Sequence, residues 1–183
     1  MAKILFSQYR HNDLHNLVNK LDKDYYSVLS TLCQTAELLI DKLEGMEPQQ
    51  STLLYLSLSK KLLSQVNELV MQRIGMLLPY AQELHSKETS GHDCGACEGG
   101  CHIKHSTQLI GLKESHHKIK EILFRLHTVA LPLYADVDYP AQYKTLRNEM
   151  MLIDTVLTEL FYLEEASLIP KIMEAQKNIH AYN

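Results

Sequence analysis

The sequence predicts an all-α protein: an up-down four-helix bundle built from two pseudo-repeated helix hairpins. Three observations carry that expectation. Four long stretches place apolar residues at helical spacing. Pro and Gly are scarce, 5 and 7 among 183 residues, and most of them fall between those stretches. The chain also resembles itself at an offset of 91 residues: ELVMQRIGMLLP, Glu68 to Pro79, aligns with ELFYLEEASLIP, Glu159 to Pro170. That offset pairs Glu68 with Glu159, Leu69 with Leu160, Leu77 with Leu168 and Pro79 with Pro170. It also sets Leu21 against Leu112, Tyr25 against His116, Val28 against Ile119 and Leu32 against Leu123. An internal repeat of two helices decides architecture before any single residue does.

The totals bound the rest. A chain of 183 residues suits one domain, 1–183, with a proper core. Its 18 basic and 22 acidic side chains give a formal charge of −4, and Lys and Arg are scattered rather than massed. A nucleic-acid partner is not expected from that pattern. The opening MAKILFSQYR lacks the apolar core of a signal peptide. No window reaches the roughly 18 apolar residues of a membrane span. A soluble, cytoplasmic protein is expected, and its 4 Cys then point to metal or redox chemistry rather than structural disulfides.

Taken in order, the first residues carry a short apolar period at Leu14, Leu17, Val18 and Leu21. His11 and His15 lie an i,i+4 step apart there, and read as polar surface before they read as ligands. The first full helix is expected over about 22–44, with the stripe Leu21, Tyr25, Val28, Leu32, Thr35, Leu39. Gly45 ends it and Pro48 suits the next start. The second helix spans about 49–84, with Leu62, Val66, Leu69, Arg73 and Leu77 on its stripe. Pro79 lies inside that pattern, so a local break is expected there: Pro has no N–H and its ring clashes with the preceding turn.

The segment 86–106, SKETSGHDCGACEGGCHIKHS, has no apolar period and is expected as a Cys- and Gly-rich loop between the halves. Its length asks for a function. The third helix is expected over about 107–128, with Leu109, Leu112, His116, Ile119, Leu123 and Leu126 inward. A loop, LPLYADVDYP, leads to Pro140. The fourth helix follows over about 141–176, with the stripe Leu146, Met150, Ile153, Leu157, Leu160, Glu164, Leu168.

Each stripe is interrupted by a polar residue: Tyr25, Arg73, His116 and Glu164. The repeat relates them in pairs, Tyr25 with His116 and Arg73 with Glu164. One polar site inside the bundle is the economical reading, since facing helices assemble such sites in bundle interiors. An arginine is always charged and only donates. It repels a metal and suits a carboxylate. Arg73 is therefore expected to pair with Glu164, with His116 and Tyr25 completing the hydrogen bonds. A surviving mononuclear metal site is the alternative. Glu165 is expected to face solvent. His117 and Glu121 read as a surface pair, Cys33 as a small buried hydrophobe, and His85 and His127 as helix C-terminal residues.

The fourth helix, LFYLEEASLIPKI, resembles the haemerythrin-like (HHE) family, whose helices end near H-x-x-x-E-E-x-x-L-F-P. The duplicated layout and SHHKIKEIL on helix three are similar, more narrowly, to the di-iron proteins that repair iron–sulfur clusters. The resemblance spans about 21–173. It implies a bundle holding two oxo-bridged irons through His and carboxylate ligands. Carried over position by position, the family's ligands fall on His116 and Glu164, which match, and on Leu160, Leu69 and Arg73, which do not. The helix-one ligand falls at or beside Tyr25. A di-iron centre is not expected from so degenerate a set.

Cys94-x2-Cys97-x3-Cys101, with His92, His102 and His105, is the sharpest local signal. Thiolates and imidazole at such spacing suit one zinc ion, or an iron site or cluster. Gly91, Gly95, Gly99 and Gly100 let the backbone wrap tightly. A reversible disulfide or an inert segment are the competing readings.

These features lead to a metal-binding, non-enzymatic protein of haemerythrin-like descent, tied to iron or redox stress through the Cys/His segment. An active di-iron repair protein and a metal-free interaction module are the alternatives. A homodimer or a protein partner is left open.

Overall fold

The computed structural model describes residues 9, 11–45, 50–91, 100–135 and 141–181, and they are helical nearly throughout. The chain forms four long rods. The first joins α1 (Leu14–Leu21), a π segment π1 (Asp22–Tyr26) and α2 (Ser27–Glu44). The second joins α3 (Gln50–Gln72), π2 (Arg73–Leu77) and α4 (Leu78–Ser90). The third is the single helix α5 (Gly100–Ala135). The fourth joins α6 (Ala141–Leu163), π3 (Glu164–Leu168) and α7 (Ile169–Ala181). No strand occurs among the described residues.

Local chemistry explains the ends. Asp13 caps α1 by accepting from the Asn16 backbone N–H at 2.7 Å, a contact of about 1 kcal/mol. The first rod thus begins near Leu14 rather than at 22, and Leu14, Leu17, Val18 and Leu21 are its buried face. Gly45 closes α2, as expected. Gly91 closes α4 with φ 68°, the left-handed conformation that a residue without Cβ adopts at no steric cost. The rods overrun the sequence expectation elsewhere. α4 continues to Ser90, α5 starts at Gly100 and reaches Ala135, and α7 reaches Ala181. The ends at 86–90 and 100–106 are polar and carry no apolar period, so periodicity stops short of them; 131–135, expected as the start of the loop LPLYADVDYP, instead continues α5.

The break expected at Pro79 takes the form of a wide turn just before it. Leu78 N–H bonds Arg73 O, the i→i−5 pattern of a π turn. The next residue is Pro79, which has no N–H to extend that pattern. The fourth rod repeats the device: Ile169 N–H bonds Glu164 O, and Pro170 follows. In the first rod Ser27 N–H bonds Asp22 O without a proline.

That first π segment changes what the core receives. A π turn holds one extra residue, so everything after it is rotated by one position. The stripe Val28, Leu32, Thr35, Leu39 is accordingly not the buried face. Leu29, Cys33, Ala36, Ile40 and Leu43 are, while Val28 is 38% exposed. Stripes on the other three rods are buried as the periodicity expects, apart from the half-buried Leu109. α2 packs on α3 and α6, α3 on α5, and α1 and α7 both on α4. The described residues share one apolar core, in which each fully buried leucine contributes about 1.5–3 kcal/mol. No described helix is long and apolar enough to cross a membrane.

Candidate functional site

The polar site sits where the π segments meet. Glu164, first residue of π3, has no solvent exposure and is the hub. Its Oε1 accepts from Arg73 Nε at 3.0 Å and from the Tyr26 hydroxyl at 2.5 Å. Its Oε2 meets His116 Nε2 at 2.5 Å. Arg73 is the first residue of π2 and Tyr26 the last of π1. Three rods thus present their wide turns to this site, and the third rod supplies His116. Wide turns of this kind recur where a side chain must be re-aimed inward at a functional position.

A second layer completes the network. Arg73 Nη2 donates to Ser115 Oγ at 2.9 Å, and that hydroxyl donates to Leu112 O at 2.8 Å. His116 Nδ1 faces Glu165 Oε1 at 3.0 Å. The imidazole lies against Phe161, with ring centroids 4.0 Å apart. The imidazole thus meets a carboxylate oxygen at each of its two ring nitrogens.

Burial alone pushes the Glu164 carboxyl up. The His116 bond, the Arg73 charge and the Tyr26 hydroxyl outweigh it and hold that carboxyl below its ordinary value. Burial, then the Glu164 charge, push the Tyr26 phenol well above its own. Tyr26 stays a neutral donor and Glu164 an anion, which is the arrangement their short contact needs.

The expected Arg73–Glu164 pair is present, with side chains 4% and 0% exposed. His116 completes it as expected. Tyr25 does not. Its hydroxyl points to Glu159 at 3.5 Å, and Tyr26 takes the place expected for it. The two are neighbours, and the extra residue of π1 decides which of them faces the hub. Glu165 faces solvent as expected, 47% exposed, and His116 and Lys120 both reach it there. Sequence reasoning missed Tyr26, Ser115 and Phe161. The adjacent Tyr25–Tyr26 pair was the available signal for the first.

Other positions fall as follows. Leu69 and Leu160 are buried in the apolar core. His117 and Glu121 form an exposed pair at 3.5 Å, as expected. Cys33 is fully buried, and burial, with the Glu37 charge, pushes its thiol up to about 12. His127 lies inside α5 rather than at its end and pairs with Asp154 at 3.0 Å. His85 stacks on His15, with centroids 5.9 Å apart. His92, Cys94 and Cys97 lie outside the described residues. Cys101, His102 and His105 lie on the backbone of α5, not in a structureless loop, and their side chains are outside the described residues.

The interior residues do not fit a pair of metal ions. Leu69 and Leu160 offer no lone pairs, Arg73 brings a fixed positive charge, and the oxygens of Glu164 are already engaged. Among the described residues no three His, Cys, Asp or Glu gather as a metal site. No family model, curated protein or solved structure matches this chain.

Proposed function

We propose that this chain is a haemerythrin-like up-down four-helix bundle of two pseudo-repeated hairpins, non-enzymatic, whose ancestral iron positions now hold an ion network. Metal or redox chemistry then belongs to the segment 92–105, through Cys94, Cys97, Cys101, His92, His102 and His105. One observation carries the reading: the buried Arg73 guanidinium lies on Glu164, where the resemblance sets a ligand carboxylate on each side. The onset of a π segment at both residues, 91 apart, supports the repeat. An interior occupied by its own counter-ions leaves a bound metal to the cysteines. Three thiolates and an imidazole satisfy zinc, and the same donors accept iron.

Elemental analysis of protein purified reduced, untagged and without added metal tests this. About one equivalent of zinc or iron is expected. It should vanish in Cys94→Ser plus Cys97→Ser and persist in Glu164→Gln. Metal lost in Glu164→Gln but kept in the cysteine variant assigns the metal to the bundle interior and overturns the reading. A metal-free, monomeric protein with reduced thiols overturns the metal assignment, and self-association of such a protein favours the interaction module.

A further inference from the structure

His116 is buried, but it borders an open hollow on the outer side of the bundle. That hollow is lined by Lys113, His116, His117, Lys120, Glu165 and Ile169. The four basic residues stand at i, i+3, i+4 and i+7 of α5, which is one helix face. Glu165 is the single acid among these lining residues. A neighbouring hollow adds Arg125, with Glu121 as its acid, and Glu121 is paired with His117. Positive charge is therefore in excess at the mouth. Behind it, Arg73 and His116 converge on one buried carboxylate, Glu164.

Glu165 fills this mouth as an anion of the chain's own. Its Oε1 lies 3.0 Å from His116 Nδ1 and 3.5 Å from Lys120 Nζ. Its side chain is 47% exposed, and ion pairs at such exposure are weak. It can leave for solvent by rotating its own side chain.

We propose that this hollow binds a small phosphate-bearing anion, which displaces the Glu165 carboxylate from His116 and Lys120. The donors favour phosphate over a carboxylate. Lysine ammonium and imidazole N–H groups are point donors approaching from separate directions, without the planar fork that arginine offers a carboxylate. A phosphate has three or more acceptor oxygens to meet them. The inference goes beyond the reading above and does not depend on metal at 92–105.

Titration with inorganic phosphate, followed by phosphorus NMR or calorimetry at ionic strength fixed with chloride, tests it. Saturable binding near ~1 mM is expected. Glu165→Gln should tighten it about tenfold, because the competing anion is gone. Lys113→Met with Lys120→Met should weaken it about tenfold or more. Both lysines are exposed, so the double variant should keep the wild-type circular dichroism spectrum. Misfolding cannot produce the tighter binding of Glu165→Gln. Absence of saturable binding in both wild type and Glu165→Gln overturns the proposal, as does equal affinity in all three proteins. Acetate binding as tightly as phosphate overturns the assignment of the ligand class.

Discussion

Arg73 and Glu164 lie 91 residues apart in the chain and 3.0 Å apart in space, and each opens a π segment that ends shortly before a proline. The wide turn and the ion pair belong together. In a regular α-helix the ring of Pro79 or Pro170 presses on the carbonyl four residues earlier. Widening the preceding turn accommodates the ring. It also sets the first residue of that turn facing its partner on the other rod.

Breaking that pair leaves an uncompensated charge in the core. Arg73→Met and Glu164→Gln should each cost about 3–5 kcal/mol in urea unfolding. The double variant should cost clearly less than the sum, because neither charge is then stranded. Additive losses would show that the two side chains do not interact.

The two tyrosines separate cleanly. Tyr26→Phe removes a hydroxyl donor from a buried carboxylate and should cost about 1.5–3 kcal/mol. Tyr25→Phe loses a 3.5 Å contact to Glu159 and a hydroxyl hydrogen bond with Tyr9 and should cost less, about 0.5–1 kcal/mol. Urea midpoints of the two variants provide the measurement. The reverse order would place Tyr25, not Tyr26, at the hub.

Acid should destabilise the protein through the same network. The folded Glu164 carboxyl is held below the ordinary value of 4.5, by His116, Arg73 and Tyr26 acting against burial. A depressed carboxyl contributes stability that is fully present above the unfolded value. That stability is lost as pH falls through the folded one. The urea midpoint should hold from neutral pH towards 4.5 and decline below it. In Glu164→Gln the decline should be shallower, since the substituted amide does not titrate.

Cys33 should be chemically silent in the native protein. Burial removes it from reagent and pushes its thiol up to about 12, and a protonated, inaccessible thiol does not attack. Thiol labelling in urea should count one group more in wild type than in Cys33→Ala, and labelling of the two native proteins should show no difference. Rapid labelling of Cys33 in the folded state would contradict its burial.

Most of the helical pattern was legible in the sequence, because apolar spacing reports which face of a helix leaves water. Three of the four stripes and the Arg73–Glu164–His116 association were readable that way. An always-charged residue on an apolar stripe needs a carboxylate, and the offset named one. The ends of the rods were less legible, since polar turns at 86–90 and 177–181 show no period. What only the tertiary structure decided is the register of the first rod. Nothing in DKDYY announces a π turn, yet one extra residue there brings Leu29, Ala36, Ile40 and Leu43 into the core, exposes Val28 and Thr35, and leaves Leu32 and Leu39 half-buried against it. It also hands the buried hydrogen bond to Tyr26. A helix chooses its bonding step by the contacts its neighbours offer, and a carboxylate on another rod can repay a local distortion that no short stretch of sequence records.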